Sequence, residues 1–122
     1  MKFAAILTAG AMLGLAGPAL ADAACTRPEA PAPVDGTTAT MEQLLAAKAA
    51  VTTFITASDA YQTCVLDDLE ARKKAAKAAR AKLDPAVAKA ADAGVSENQV
   101  DKERVGQAFN TAAKAYKAAH PS

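Results

Sequence analysis

The sequence predicts an all-α protein: an antiparallel helical hairpin, made of a long helix, a short connecting helix and a third helix, preceded by an extended proline-rich arm. Apolar residues recur at the spacings of three, four and seven that mark one face of a helix, and no strand-like alternation appears. Alanine, the strongest helix former, fills 28 of the 101 positions after residue 21. One cysteine lies in the arm and the other on the first helix, so a disulfide can join these elements.

Residues 1–21 have the features of a secretory signal peptide. Lys2 supplies a positive start, Phe3–Ala16 is apolar, and Ala19-Leu20-Ala21 is a small-x-small cleavage site. The apolar run is shorter than the roughly 20 residues that span a bilayer, and no later segment is apolar enough to do so. The sequence therefore predicts a periplasmic or secreted protein, cleaved near Ala21, without a transmembrane span.

Lipidation is the alternative at this end of the chain, because Cys25 follows the cleavage site closely. Bacterial lipidation signals place Leu and small residues directly before the cysteine. Here Asp22 stands at the third position upstream of Cys25. We therefore favour an unlipidated mature chain that begins at Asp22.

The first predicted helix begins after Thr40. Thr40 and Gln43 form a capping box, in which each side chain accepts a hydrogen bond from the other's backbone N–H. The apolar stripe runs as far as Leu69, and its members are Met41, Leu44, Leu45, Val51, Phe54, Ile55, Tyr61, Val65, Leu66 and Leu69. The next segment, residues 71–83, favours helix but has little to bury.

Two further helices are predicted after this segment. Asp84 and Pro85 indicate the start of a short helix, and Gly94 is a typical left-handed residue at its C-terminus. Residues 96–99, Ser-Glu-Asn-Gln, indicate a second capping box at the start of the third helix. The apolar seam of that third helix consists of Val105, Phe109, Ala112 and Tyr116.

A turn between residues 83 and 96 sets the predicted register of the hairpin. It places Phe109 opposite Leu69, and Tyr116 opposite Tyr61 and Val65. In this register the third helix does not reach the apolar residues in the first half of the long helix, namely Val51, Phe54 and Ile55. Residues 40–122 are thus predicted to form the hairpin domain, and its first half needs another cover.

Residues 22–39, the proline-rich arm, can provide that cover. The helix rises roughly 36 Å from Thr40 to Cys64, and the 15 residues from Cys25 to Thr40 span about 46 Å as polyproline II. An arm that doubles back along the helix therefore brings Cys25 to Cys64. Because only 18 residues after residue 21 are large and apolar, such a disulfide would support a thin core. The alternative is a disordered tether with free or intermolecular cysteines.

The arm and the first helix also resemble a group of small exported proteins of Gram-negative bacteria. Their mature chains open with Cys, spaced prolines and Pro-(x)-Asp-Gly, ahead of a long helix that carries Tyr-x-x-Cys. In this sequence the matching residues are Cys25, Pro28, Pro31, Pro33, Asp35, Gly36, Tyr61, Cys64, Phe109 and Asn110. The chain departs from the group's more usual Ile-Pro-Asp-Gly at Pro33-Val34-Asp35. The resemblance supports the arm and implies no activity.

The residues favour no catalytic, cofactor or metal site. The single histidine, His120, lies two residues from the end, where a general base is not held in place. Asp67, Asp68 and Glu70 are close in sequence, but side chains one or two positions apart on a helix point in different directions. We therefore expect a non-enzymatic protein without cofactors, and an enzyme or ligand carrier is the least favoured interpretation.

A run of basic residues near the end of the first helix is the most suggestive functional feature. It consists of Arg72, Lys73, Lys74, Lys77, Arg80 and Lys82. These residues wrap around most of the helix with only alanines between them, which is typical of a solvated face. The favoured interpretation is a structural or interaction module of the periplasm or envelope, monomeric or homodimeric, with an unknown envelope protein as partner. The alternative is a module whose basic run binds an anionic surface, such as lipopolysaccharide or lipid headgroups. Nucleic acid is not an expected partner.

Overall fold

A computed structural model describes residues 25–122 of the chain. The predicted signal peptide and its cleavage site lie outside the described residues. The described part contains two antiparallel helices, α1 (Met41–Ala78) and α2 (Pro85–Ala119), and no strand. The all-α prediction is confirmed, but two helices are present where three were predicted.

The first helix begins where the capping box predicts. The Gln43 backbone N–H donates to Thr40 Oγ1 over 3.1 Å, and the Thr40 N–H donates to Gln43 Oε1 over 2.9 Å. After Ala78 the chain turns through residues 79–84, where Arg80 has a positive φ of 52°. This short turn reverses the chain and brings α2 back along α1.

The prediction of a separate short helix is wrong. Asp84 and Pro85 do start a helix, since the Ala86 N–H donates to Asp84 Oδ1 over 2.9 Å. That helix continues through Gly94, which has no positive φ. A Cβ at Gly94 would lie only 2.8 Å from the Tyr61 hydroxyl oxygen. Gly94 therefore leaves room for the Tyr61 hydroxyl group, and it does not end a helix.

The second predicted capping box is likewise part of α2. Its third residue, Asn98, is fully buried. The Asn98 side-chain amide donates to Ser58 Oγ over 3.1 Å, and its oxygen accepts a hydrogen bond from Gln62 over 2.9 Å. Asn98 is the buried residue of this segment, and together with Ser58 on α1 it forms a buried polar layer between the helices.

The predicted register of the hairpin is also wrong. Phe109 lies with Ala47 and Val51, about five helical turns from the predicted partner Leu69. Tyr116 stacks on the His120 ring, with the ring centres 4.1 Å apart. The reason is that α2 is continuous. Because the turn ends at residue 84, the first part of α2 already lies beside the end of α1. Consequently α2 itself reaches the first half of α1.

The core is as thin as the composition predicts. Among the described residues, the buried apolar ones are Ala39, Phe54, Val105 and Ala112, and Ser58 and Asn98 are fully buried beside them. A polar layer of this kind stabilises the fold only when each of its groups has a hydrogen-bond partner. No buried side-chain N or O atom in the described part lacks one.

Replacing Asn98 by alanine tests the polar layer. We expect Asn98→Ala to lower the free energy of unfolding by about 1–3 kcal/mol, because Ser58 and Gln62 lose a buried partner. Urea denaturation followed by circular dichroism measures the loss. Gln99→Ala is the matched control, since Gln99 is exposed and meets Gln62 only at 3.3 Å. Equal losses in the two variants would contradict a special role for the buried amide.

The arm forms neither helix nor strand between residues 25 and 40. It ends in a tight turn, in which the Thr38 and Ala39 N–H groups donate to the Asp35 carbonyl over 3.3 and 2.9 Å. The Asp35 carboxylate accepts hydrogen bonds from the Thr37 hydroxyl and N–H, and these bonds lower its pKa. At the other end, the predicted disulfide is confirmed: Cys25 and Cys64 are bonded, with a Cα–Cα distance of 5.6 Å.

Candidate functional site

The arm lies in the groove between α1 and α2. Near its middle, a cavity of only about 60 Å³ is lined by residues 31–34 of the arm together with Val51 on α1 and Val105 on α2. Near its end, Gly36 is buried against the backbone of Ala112. The arm thus contacts both helices, whereas the sequence predicted that it would cover α1 alone.

An ion-pair cluster holds the start of the arm against α2. Arg27 donates from Nη1 to Glu97 over 2.7 Å and from Nη2 to Asp101 over 2.6 Å. The pKa of Asp101 is lowered, first by the hydrogen bond from Arg27 and then by the one from Arg104. Because these side chains are partly exposed, the cluster directs the arm more than it stabilises it.

Sequence reasoning missed this cluster. Arg27 is separated from Glu97 by 70 residues, so no local pattern joins them. The available signal was a single basic residue in the arm, together with two acidic residues four apart on one face of α2.

Beyond Cys25, toward the turn between the helices, the same groove is lined by residues of α1 and α2. This open groove has a volume of about 430 Å³. Its apolar walls are Tyr61, Val65 and Leu69 on α1, and Ala86, Val87, Ala90 and Ala91 on α2. Asp68 and Arg72 also line it, and Arg72 Nε donates to Asp68 over 2.7 Å. The open groove therefore combines apolar walls with one positive and one negative group.

The predicted basic run divides into two parts. Arg72 pairs with Asp68, and Lys73 donates to Glu70 over 2.9 Å. The hydrogen bond from Lys73 is the main cause of a lowered Glu70 pKa, and the charge of Lys74 lowers it further. The remaining basic residues, Lys77, Arg80 and Lys82, are exposed around the turn and form no ion pair within residues 25–122. We call these three residues the basic tip.

Other chemically active side chains are dispersed. Both cysteines are in the disulfide, so the described part of the chain holds no free thiol. His120 Nδ1 lies 3.0 Å from the Tyr116 carbonyl oxygen, which can only accept a hydrogen bond, and this contact is at the far end of the molecule from the basic tip. Over residues 25–122, no three His, Cys, Asp or Glu side chains are grouped as metal ligands would be.

Neither α1 nor α2 has an apolar stretch long enough to cross a membrane.

No protein-family model matches this sequence, and comparison with curated proteins and with solved structures likewise produced no match. The resemblance to small exported bacterial proteins stays a prediction.

Proposed function

We propose that this protein is an exported, non-enzymatic structural or interaction module that works in the periplasm or envelope. The observation that carries the proposal is the Cys25–Cys64 disulfide, which fastens the arm in the interhelical groove. Stable disulfides of this kind form in oxidising compartments outside the cytoplasm. Cys25 is the fourth residue after the predicted cleavage site. Export would therefore deliver the arm to a compartment in which the disulfide can form.

The arm also supports an interaction role over a catalytic one. It fills part of the interhelical groove, the kind of place where helical proteins often bind small ligands. What is left for contact with other molecules is the open groove, the basic tip and the outer faces of the helices. These are surfaces suited to docking.

Fractionation of cells that express the full chain tests this proposal. We expect the protein in the periplasmic fraction, with the intact mass of residues 22–122 and with both cysteines oxidised. Chemical crosslinking in the native envelope should then yield a discrete adduct with a partner protein. A full-length, reduced protein in the cytoplasm would contradict export, and an oxidised periplasmic protein without any adduct would contradict the interaction role.

The basic tip supports a second candidate function, binding to an anionic surface such as lipopolysaccharide or lipid headgroups. Lys77, Arg80 and Lys82 are all exposed at or next to the turn between the helices, and in this proposal the three meet the anionic surface together. The intervening residues are mostly alanine, so the attraction would be electrostatic and salt-sensitive. Each basic residue near an anionic membrane contributes about 1 kcal/mol.

Vesicle cosedimentation tests the second function. We expect the mature protein to bind phosphatidylglycerol vesicles at low ionic strength, and the triple variant Lys77→Gln, Arg80→Gln, Lys82→Gln to bind roughly 100-fold more weakly. The control removes the same charge elsewhere, through Lys48→Gln, Lys114→Gln and Lys117→Gln. Absence of binding at low salt, or equal losses in the two triple variants, would rule out the basic tip as a lipid-binding surface.

A further inference from the structure

The charge of the molecule is distributed unevenly along the two helices. We propose that the protein docks end-on on the anionic headgroups of a membrane, with the basic tip in contact and both helices upright. In this pose it is a spacer, which holds its opposite end roughly 50 Å above the lipid. The inference rests on the second candidate function, binding through the basic tip, and adds the pose and its consequence.

Positive charge is concentrated around the turn between the helices. Residues 74–84 hold four basic side chains and one acidic side chain, Asp84. The Asp84 carboxylate serves as a helix cap, because it accepts a hydrogen bond from the Ala86 N–H. The other residues between 25 and 122 hold nine basic and eleven acidic side chains. The side-chain charge is therefore +3 around the turn and −2 over the rest of the described part.

The flanks of the two helices offer an anionic surface little attraction. Arg27, Lys102 and Arg104 each donate to a carboxylate. Asp67 on α1 and Glu103 on α2 are exposed, without an ion pair inside residues 25–122. The flank lysines that likewise form no ion pair there are distributed over both helices, at Lys48, Lys89, Lys114 and Lys117. A membrane along either helix would therefore meet acidic groups together with basic ones.

Screening by salt favours the upright pose. Charges separated by more than about 10 Å are largely screened at 0.1 M salt. The 38 residues of α1 make it about 57 Å long. Cys64, to which the arm is bonded, lies about 21 Å before the last residue of α1. With the helices upright, the acidic residues of the arm, Glu29 and Asp35, are therefore too far from the headgroups to be repelled. With the helices flat, acidic residues of one flank come within the screening distance.

The exposed apolar residues add no attraction in a flat pose. A helix that lies in a membrane surface presents a row of large apolar side chains to the lipid. The large apolar side chains exposed among the described residues are Met41, Leu45, Leu66 and Val100. Met41 and Leu45 lie at the start of α1, at the end opposite the turn, while Leu66 and Val100 lie singly on different helices. Neither helix carries such a row over its described length.

The arm braces the half of the hairpin that the upright pose raises from the membrane. It runs from Gly36, which lies against Ala112, to Cys25, which is bonded to Cys64. Few large apolar side chains are buried between the helices, so a third packed element adds contacts that resist bending. The disulfide and the arm thereby suit a molecule that works as a stiff spacer.

Two variants that each add one positive charge test the pose. Ala81→Lys adds it in the turn, and Gln107→Lys adds it at an exposed position of α2, about 34 Å from the turn. Binding is measured on vesicles of phosphatidylglycerol and phosphatidylcholine at about 0.05 M salt. We expect Ala81→Lys to bind roughly fivefold more tightly than the wild type, the usual contribution of one basic residue at an anionic membrane. Gln107→Lys should change the affinity by less than about twofold, because its charge is screened from the headgroups.

Neutron reflectometry on a supported bilayer of the same lipids measures the pose directly. We expect a protein layer about 55 Å thick, whereas helices lying flat would give a layer of at most about 25 Å. A thin layer, or equal tightening in the two lysine variants, would overturn the upright pose and leave lipid binding intact. Absence of wild-type binding to these vesicles would instead overturn the second candidate function, and the pose with it.

Discussion

We expect the replacement of both cysteines, Cys25→Ser with Cys64→Ser, to lower the melting temperature by roughly 15–30 °C. The two residues are 39 positions apart, and closing a loop of this length stabilises the folded state by about 4 kcal/mol in the chain-entropy account. For a domain with so few buried apolar side chains, this is a large part of a total of roughly 5–15 kcal/mol. Thermal unfolding followed by circular dichroism measures the effect.

Chemical reduction provides the control for this expectation. Wild-type protein with a reducing agent should unfold at the temperature of the double variant, because both lack the same bond. The freed arm should also expose Val51 and Val105, which increases the binding of a hydrophobic dye or drives dimerisation. An unchanged melting curve would contradict the view that the disulfide fastens the arm.

The second large effect is expected at Gly36, where the arm comes closest to a helix backbone. A Cβ there would lie 2.7 Å from the Ala112 carbonyl carbon and closer still to its oxygen. Since both are backbone atoms, the clash can be relieved only if the end of the arm moves away from α2. We expect Gly36→Ala to lower the free energy of unfolding by about 2–3 kcal/mol.

Gly106→Ala is the matched control for this substitution. A Cβ at Gly106, within α2, meets nothing within 4 Å. Because alanine favours helix by about 1 kcal/mol over glycine, this variant should be slightly more stable than the wild type. Urea denaturation compares the two. Loss of stability in both variants, or in neither, would contradict the close approach at Gly36.

The sequence predicted those elements that depend on neighbouring residues. Thr40 with Gln43, and Asp84 with Pro85, act within one helical turn, so their patterns marked both helix starts correctly. The disulfide was also predictable, because the length of the arm and the rise of α1 constrain where Cys25 can reach.

The interhelical contacts could not be predicted in this way. Gly94 looks the same whether it ends a helix or admits the Tyr61 ring from another helix, and only the packed structure distinguishes the two. Asn98 and Ser58 are polar, so an apolar stripe does not include them, although they are fully buried. These contacts set the register of the two helices. The wrong prediction of a helix end at Gly94 therefore also made the predicted positions of Phe109 and Tyr116 wrong.

The candidate site likewise has features that the sequence predicts and features that only the packed structure shows. The basic residues were identifiable from composition alone. Which of them form ion pairs depends on the structure. Arg72 and Lys73 pair with acidic residues on α1. Lys77, Arg80 and Lys82 are exposed around the turn. The open groove could not be predicted from the sequence. Its walls come from two segments about 20 residues apart, and Cys25 lies at its end.

The buried amide of Asn98 has a consequence for how the two helices align. Where the facing residues are alanines, sliding one helix by a turn, about 5.4 Å, would alter the buried apolar area very little, and only larger residues such as Phe54 and Val105 would resist it. Such a slip would, however, leave Asn98, Ser58 and Gln62 facing methyl groups, and a desolvated unpaired polar group costs about 1–3 kcal/mol. The polar layer therefore fixes the position of one helix along the other. It selects one sliding position from several that the alanines alone would leave nearly equal in energy.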